Sequence, residues 1–345
     1  MALKDNAKIL VTGGAGYIGS HTCIELLESG YEIVVVDNLC NSSYESLRRV
    51  QILCNHEIPF YKIDILDRQA LEKVFEEHSI DTVIHFAALK AVGESVEQPI
   101  QYYMNNLNGT LVLLDVMAKF NCFKLVFSSS ATVYGIPVSL PIDESFPVAA
   151  TNPYGRSKLI IEEILEDLYN SNGDWNISIL RYFNPVGSHK SGVIGEDPKG
   201  IPSNLMPYIS QVAIGRMPFL NVFGDDYDTP DGTCLRDYIH VSDLAMGHMK
   251  ALQALVTRKD FLIVNLGTGN GYSVLELVRA FEQASGREIP LKMVARRLGD
   301  TPACYADVSL AKKKLGWQAK YCLTDMCEDR GRWQLKNPQG YKDQY

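Results

Sequence analysis

Short β-branched and aliphatic runs alternate with longer stretches of helical period through the first half of the chain. Residues 8–12 (Lys-Ile-Leu-Val-Thr) predict a buried strand, and residues 17–29 predict a helix that ends at Gly30. The next strand is expected over 31–36. Further strands follow at 60–63, 82–86, 124–128 and 177–183, with helices over 67–77, 101–120 and 153–169 between them. Strand–helix alternation of this kind builds a doubly wound parallel sheet of α/β class. After Asn184-Pro185-Val186-Gly187 the pattern changes, with glycine, proline and polar residues frequent over 187–203 and 225–233. Helices are expected again at 245–255 and 274–285, with a strand at 262–266. The expected organisation is a first domain over 1–184 and a smaller mixed α/β domain over 185–345, with segments around 235–285 packing back on the first.

The 345 residues are enough for a large core and two domains. A net charge of −8 gives no general nucleic-acid surface, so an anionic ligand must be met by local cations and helix ends. No apolar run approaches the ~20 residues that span a bilayer. The first six residues carry no signal-peptide pattern, so a cytoplasmic protein is expected. The eight cysteines are scattered without a Cys-x-x-Cys pair, which points to reduced thiols and no metal site.

Gly13-Gly14-Ala15-Gly16-Tyr17-Ile18-Gly19 falls between the first strand and the first helix. Glycines there permit a tight turn, close approach of the backbone to a pyrophosphate, and helix–strand packing, while the helix start meets the phosphate charge. The expected domain is therefore of Rossmann type. Asp37, followed by Asn38, closes the second strand where a carboxylate accepts from the adenosine ribose diol and repels a 2′-phosphate, so the expected cofactor is NAD rather than NADP. Asp64 and Ile65 are placed to meet the adenine. Phe86, Ala87 and Lys90 are placed to line the phosphate and nicotinamide side, with Lys90 open to a second reading as a solvated loop lysine.

Tyr154 and Lys158 share a helix face at i and i+4. Asn152-Pro153 before them reads as an N-cap followed by proline in the first turn. A phenol titrates near ~10, and an ammonium beside it is expected to pull that value down. Ser128-Ser129-Ser130 ends the fifth strand at the carboxyl edge of the sheet, where ligands bind in such folds. A serine turn satisfying backbone groups is the competing reading, especially for Ser128 and Ser129.

The order of Gly13-x-x-Gly16-x-x-Gly19, Asp37, Ser130 and Tyr154-x-x-x-Lys158 resembles the extended short-chain dehydrogenase/reductases. The segments 128–135, Arg181-Tyr182-Phe183-Asn184-Pro185, Asn204-Leu205-Met206-Pro207 and 236–241 resemble, more closely, the UDP-galactose 4-epimerase (UDP-glucose 4-epimerase) family, over about 8–333. That resemblance implies an isomerase with bound NAD and a UDP-sugar substrate, working as a homodimer in galactose metabolism. Tyr154 would take the proton of the sugar 4-hydroxyl, Lys158 would hold the nicotinamide ribose, and Ser130 would aid the proton transfer. Hydride would leave C4 for NAD⁺, the 4-keto sugar would turn, and hydride would return to its other face.

Asn105 and Phe183 would contact the cofactor. Asn184, Asn204, Leu205, Asn221, Val222, Phe223, Arg236, Arg297 and Asp300 would hold the uridine diphosphate; from the residues alone, Arg236 and Arg297 are equally readable as surface residues. Ala88 and Ser203 depart from residues frequent in the family. Cys304 resembles the family's gate over the sugar, where a small residue leaves room for an N-acetyl group at C2, unless the thiol packs away from the sugar. Three rivals stand beside the epimerase reading. A UDP-glucuronate enzyme would need a cation for the sugar carboxylate, which the sequence leaves open. A 4,6-dehydratase needs an Asp-Glu pair after the serine strand, where this chain has Ala131-Thr132; a non-catalytic NAD-binding sensor tends to lose the tyrosine or the lysine, both present here.

Overall fold

The computed structural model describes residues 8–341 apart from 201, 203, 258, 298 and 299; the N-terminal segment and Ser203 lie outside the described residues. In chain order the strands are β1 (Lys8–Thr12), β2 (Ile33–Asp37), β3 (Phe60–Lys62), β4 (Ile80–His85), β5 (Lys124–Ser128), β6 (Asn176–Tyr182), β7 (Asn184–Val186), β8 (Leu220–Phe223), β9 (Leu235–Arg236), β10 (Tyr238–His240), β11 (Phe261–Leu266), β12 (Tyr272–Ser273), β13 (Leu291–Val294) and β14 (Ala303–Cys304).

Seven of them form one parallel sheet in the order β11-β6-β5-β4-β1-β2-β3. Both faces are covered, which is why β1 and β2 read as unbroken apolar runs. On one face Cys23, Ile24 and Leu26 of helix Tyr17–Glu28 pack with Leu244, Leu252 and Leu255 of helix Val241–Thr257. On the other, Leu71, Leu113, Ile161 and Leu165 come from helices Arg68–Glu77, Gly109–Lys119 and Pro153–Ser171. The order runs outward from β1 in one direction and from β4 in the other, and a crevice opens beyond the carboxyl ends of such a pair.

The expected sheet is found with shifted ends: the second strand is Ile33–Asp37 and the fourth Ile80–His85. The helix expected over 101–120 is three pieces, Pro99–Tyr103, a π-helical turn Met104–Asn108, and Gly109–Lys119. Such turns insert a residue and re-aim side chains, commonly at functional sites. Here Asn106 is turned inward, donating to the Leu89 carbonyl at 3.1 Å and to Ser157 Oγ at 3.0 Å. Helices Tyr44–Cys54 and Leu323–Lys336 have no counterpart among the predicted elements. β11 joins the main sheet beside β6, whereas three small sheets, β10-β7, β12-β9-β14 and β13-β8, surround a separate cluster that includes Met206, Val222, Tyr238 and Phe281.

Candidate active site

The glycine turn brings bare backbone to the crevice. Gly13 has φ +72°, and a Cβ on it would lie 2.8 Å from the Ala87 amide nitrogen. A Cβ on Gly19 would lie 2.3 Å from the Gly13 carbonyl oxygen. Gly16 is the N-cap of helix Tyr17–Glu28 and supplies no side-chain cap, so the amides of that first turn are available to an anion. Tyr17, Ile18 and Gly19 continue along the same wall of the cleft.

Asp37 ends β2 at the far side of the turn. Its carboxylate accepts from the amides of Ala15 (3.1 Å) and Leu39 (2.9 Å) and from Ser42 Oγ (2.8 Å). Burial pushes its pKa up, and those three bonds work in the other direction. Asn38 donates to Asp64 at 2.9 Å, which ties two of the expected adenosine residues together. Ile65, Phe86, Ala87, Lys90 and Asn105 line the same cleft. Lys90 is held by Glu196 at 3.2 Å, and Asn105 donates to Asn106 at 2.9 Å. The cradle of glycine backbone, the open helix start and the carboxylate fit a dinucleotide.

Among the cleft residues that were not legible in the pattern are Tyr182, Glu196 and Tyr341. Tyr182 lies inside the segment 181–185 already singled out. Nothing in the polar stretch 187–203 marks Glu196, which is buried beside two residues of the expected site.

Helix Pro153–Ser171 starts as the sequence predicts, with Asn152 Oδ1 accepting from the Gly155 amide at 2.9 Å and Pro153 in the first turn. Tyr154 and Lys158 are both buried, 7% and 3% exposed. Ser130 hydrogen-bonds Tyr154 and also caps the turn Ala131–Tyr134, accepting from the Thr132 amide at 3.2 Å. Lys158 Nζ donates to the Ser128 carbonyl at 2.7 Å and lies over the Phe127 ring.

The protonation behaviour differs from the expectation. Burial pushes the Tyr154 phenol up to about 12, opposed only by the Ser130 bond. Burial likewise draws Lys158 down to about 7, opposed by the Glu162 carboxylate. Desolvation penalises both charged forms. The ammonium is directed at a strand-end carbonyl, so proximity alone does not make the phenol acidic.

The residues expected to hold the diphosphate come from separate loops. Asn184 opens β7, its amide donating to the Asp237 carbonyl at 2.9 Å. Asn204 sits at the N-cap position of helix Leu205–Ala213 without a side-chain cap bond and donates instead to Glu196 at 3.3 Å, so Glu196 bridges Asn204 and Lys90. Leu205 packs against the smaller cluster. On β8 the side chains alternate: Val222 is buried in that cluster, Asn221 is half-buried and Phe223 is exposed.

Arg236 donates to the carbonyls of Leu235 (2.8 Å) and Thr301 (2.9 Å) and lies 3.7 Å from Asp300. Arg297 donates to Asp300 at 3.0 Å and covers the Phe223 ring at 4.6 Å. Two guanidiniums thus share one carboxylate, and their remaining donors suit a phosphate. Cys304 stands in register with Arg236 and packs on the cluster of Val133, Ala306 and Phe183. Burial pushes its thiol up to about 11. Phe183 belongs to that cluster rather than to the lining of the dinucleotide cleft.

The family model described as GDP-mannose 4,6 dehydratase matches residues 10–330. A UDP-glucose 4-epimerase of Bacillus subtilis is 59% identical over 334 residues, 97% of this chain and 98% of its own length. The crystal structure of UDP-glucose 4-epimerase from Bifidobacterium longum in complex with NAD⁺ and UDP is 54% identical with a TM-score of 0.94, covering 97% of this chain and 100% of that one. The UDP-glucose 4-epimerase structure from Stenotrophomonas maltophila, with bound NAD and formylated UDP-arabinopyranose, is 50% identical with a TM-score of 0.95, covering 96% and 99%.

Proposed function

The chain belongs to the UDP-glucose 4-epimerase family, and we propose that it carries out that reaction, the NAD-dependent interconversion of UDP-galactose and UDP-glucose by inversion at C4. The observation that carries this reading is the meeting of Ser130, Tyr154 and Lys158 beyond the same sheet edge that holds the glycine cradle. When bound, NAD supplies reversible hydride acceptance at the sugar C4.

The chain's own groups do the rest. Gly13, Gly16 and Gly19 would seat the pyrophosphate on backbone, and Asp37 would receive the adenosine ribose. Tyr154 takes the 4-hydroxyl proton, with Ser130 bonded to the same phenol. Lys158 would hold the nicotinamide ribose, and the positive ring of the oxidised cofactor would favour the phenolate that burial alone disfavours. Arg236, Arg297, Asn184, Asn204 and the β8 residues fix the uridine diphosphate, so that the 4-keto sugar can turn while its anchor stays.

Within this reading residues 1–184 form the NAD domain and 185–345 the UDP-sugar domain, with segments around 235–285 packing back on the first. UDP-galactose carrying deuterium at C4 tests the reaction: the UDP-glucose formed keeps the deuterium. Loss of label to solvent, or no conversion, would contradict it. A dehydratase, which the description of the matching family model raises, has no acid–base pair available at Ala131-Thr132.

The small side chain at Cys304, in register with Arg236, favours a second substrate class. Wild-type protein interconverts UDP-N-acetylglucosamine and UDP-N-acetylgalactosamine, and Cys304→Tyr abolishes that turnover while keeping UDP-galactose. Wild type inert toward the N-acetyl sugars would sink the idea. A cytoplasmic homodimer completes the reading. Val96, Ile100, Met104 and Leu111 are exposed large apolar side chains within 92–119; light scattering that returns a monomer would refute it.

A further inference from the structure

Glu162 lies one helical turn beyond Lys158 and is 4% exposed. Its carboxylate receives Arg181 through two nitrogens, Nη2 at 2.6 Å and Nε at 3.1 Å, and also accepts from Ser129 Oγ. Arg181 in turn donates to Tyr134 Oη at 3.1 Å, and Tyr134 donates to Asn265 Oδ1 at 2.7 Å. The strand end is thus held residue by residue. The Ser128 carbonyl binds Lys158, and Ser128 Oγ meets His248 Nε2 at 2.7 Å. Ser129 is held by Glu162, and Ser130 bonds Tyr154.

A buried ion pair of this kind contributes little net stability compared with apolar packing, yet removing one partner is costly. Its place is therefore better explained by what it orients. We propose that Glu162, seated by Arg181, is a positioning residue for the reaction: it fixes Ser129, and with it the spacing of Lys158 and Ser130 around Tyr154, and it keeps a negative charge one turn from the Lys158 ammonium.

The groups facing Lys158 are few. Tyr154 and Glu162 come from its own helix, the Ser128 carbonyl and Phe127 ring from β5, and His85 from β4; Tyr182 of β6 approaches through Ser128 and Tyr154. His248 approaches through Ser128 from helix Val241–Thr257. Burial draws His85 to about 3 and His248 to about 4, so both are neutral near pH 7 and Glu162 is the anion of the set. Removing that anion lowers the Lys158 pKa, so the ammonium is lost at a lower pH. Leaving the carboxylate without Arg181 works in the opposite direction.

The inference rests on the epimerase reading, and wild-type turnover of UDP-galactose checks that reading separately. Three variants are then compared by pH profiles of kcat and by KM. Glu162→Gln keeps the shape and an acceptor for Ser129 but loses the charge. It is expected to lower kcat about tenfold with KM within about twofold, and to move the alkaline limb to lower pH. Ser129→Ala is expected to lower kcat by a smaller factor with the limb unmoved, and Arg181→Gln to move the limb upward. A purely structural role would lower thermal stability in all three and leave the limbs where they are. Unmoved limbs in both charge variants, or wild-type kcat in Glu162→Gln, would overturn the proposal. If Glu162→Gln does not fold, the direction of the limb in Arg181→Gln decides.

Discussion

The two halves of the site are built by opposite means. The dinucleotide side is backbone and buried charge: glycine surfaces that a single Cβ would fill, a carboxylate held by three donors, and Tyr154 and Lys158 both under one-tenth exposed. The diphosphate side is made of long side chains from β8, β9 and the loop before β14, and Arg297 is 56% exposed with its partner Asp300 at 20%. Rigid backbone suits a cofactor that is kept through turnover. Arginines that share one carboxylate suit a ligand that comes and goes, because the anion can draw their free donors without rebuilding the fold.

Several substitutions can break this contrast. The largest effect is expected from Gly19→Val, whose side chain meets the Gly13 carbonyl. The purified protein should carry no nucleotide by chromatography after acid release and show no epimerisation. A full complement of NAD would show that the cradle is not backbone-limited.

Arg236→Met comes next. Losing charge-assisted bonds of about 1.5–3 kcal/mol should raise KM for UDP-galactose roughly ten- to hundredfold while leaving the NAD content unchanged. A fall in NAD content in that variant would erase the separation between the halves. Arg297→Ala should have the smallest effect, a few-fold rise in KM that shrinks as salt is added, because an exposed ion pair is screened. A loss as large as that of Arg236→Met would place Arg297 deeper in binding than its exposure indicates.

What the sequence made legible was local. The glycine spacing, Asp37 at a strand end and Tyr154 with Lys158 at i and i+4 each need only a few neighbouring residues to be read, and all stand on the elements expected of them. The direction of the Tyr154 pKa was not legible, because desolvation depends on how much of the fold covers the phenol. Glu196 went unseen because its meaning lies in bridging Lys90 and Asn204 from a loop with no period. The π-helical turn at Met104–Asn108 sits in a pattern that reads as ordinary helix, and two-residue strands such as Ala303–Cys304 are too short to give any alternation.

The central claim is that a buried phenol, not a solvent base, moves the proton of the sugar 4-hydroxyl. Tyr154→Phe keeps the ring and its packing and removes only the oxygen. Turnover of UDP-galactose by this variant and by wild type, each loaded with the same amount of NAD, tests the claim most directly. The account predicts a loss in kcat of about 10²- to 10⁴-fold with NAD still bound and KM little changed. A variant that turns over UDP-galactose at the wild-type rate would contradict it.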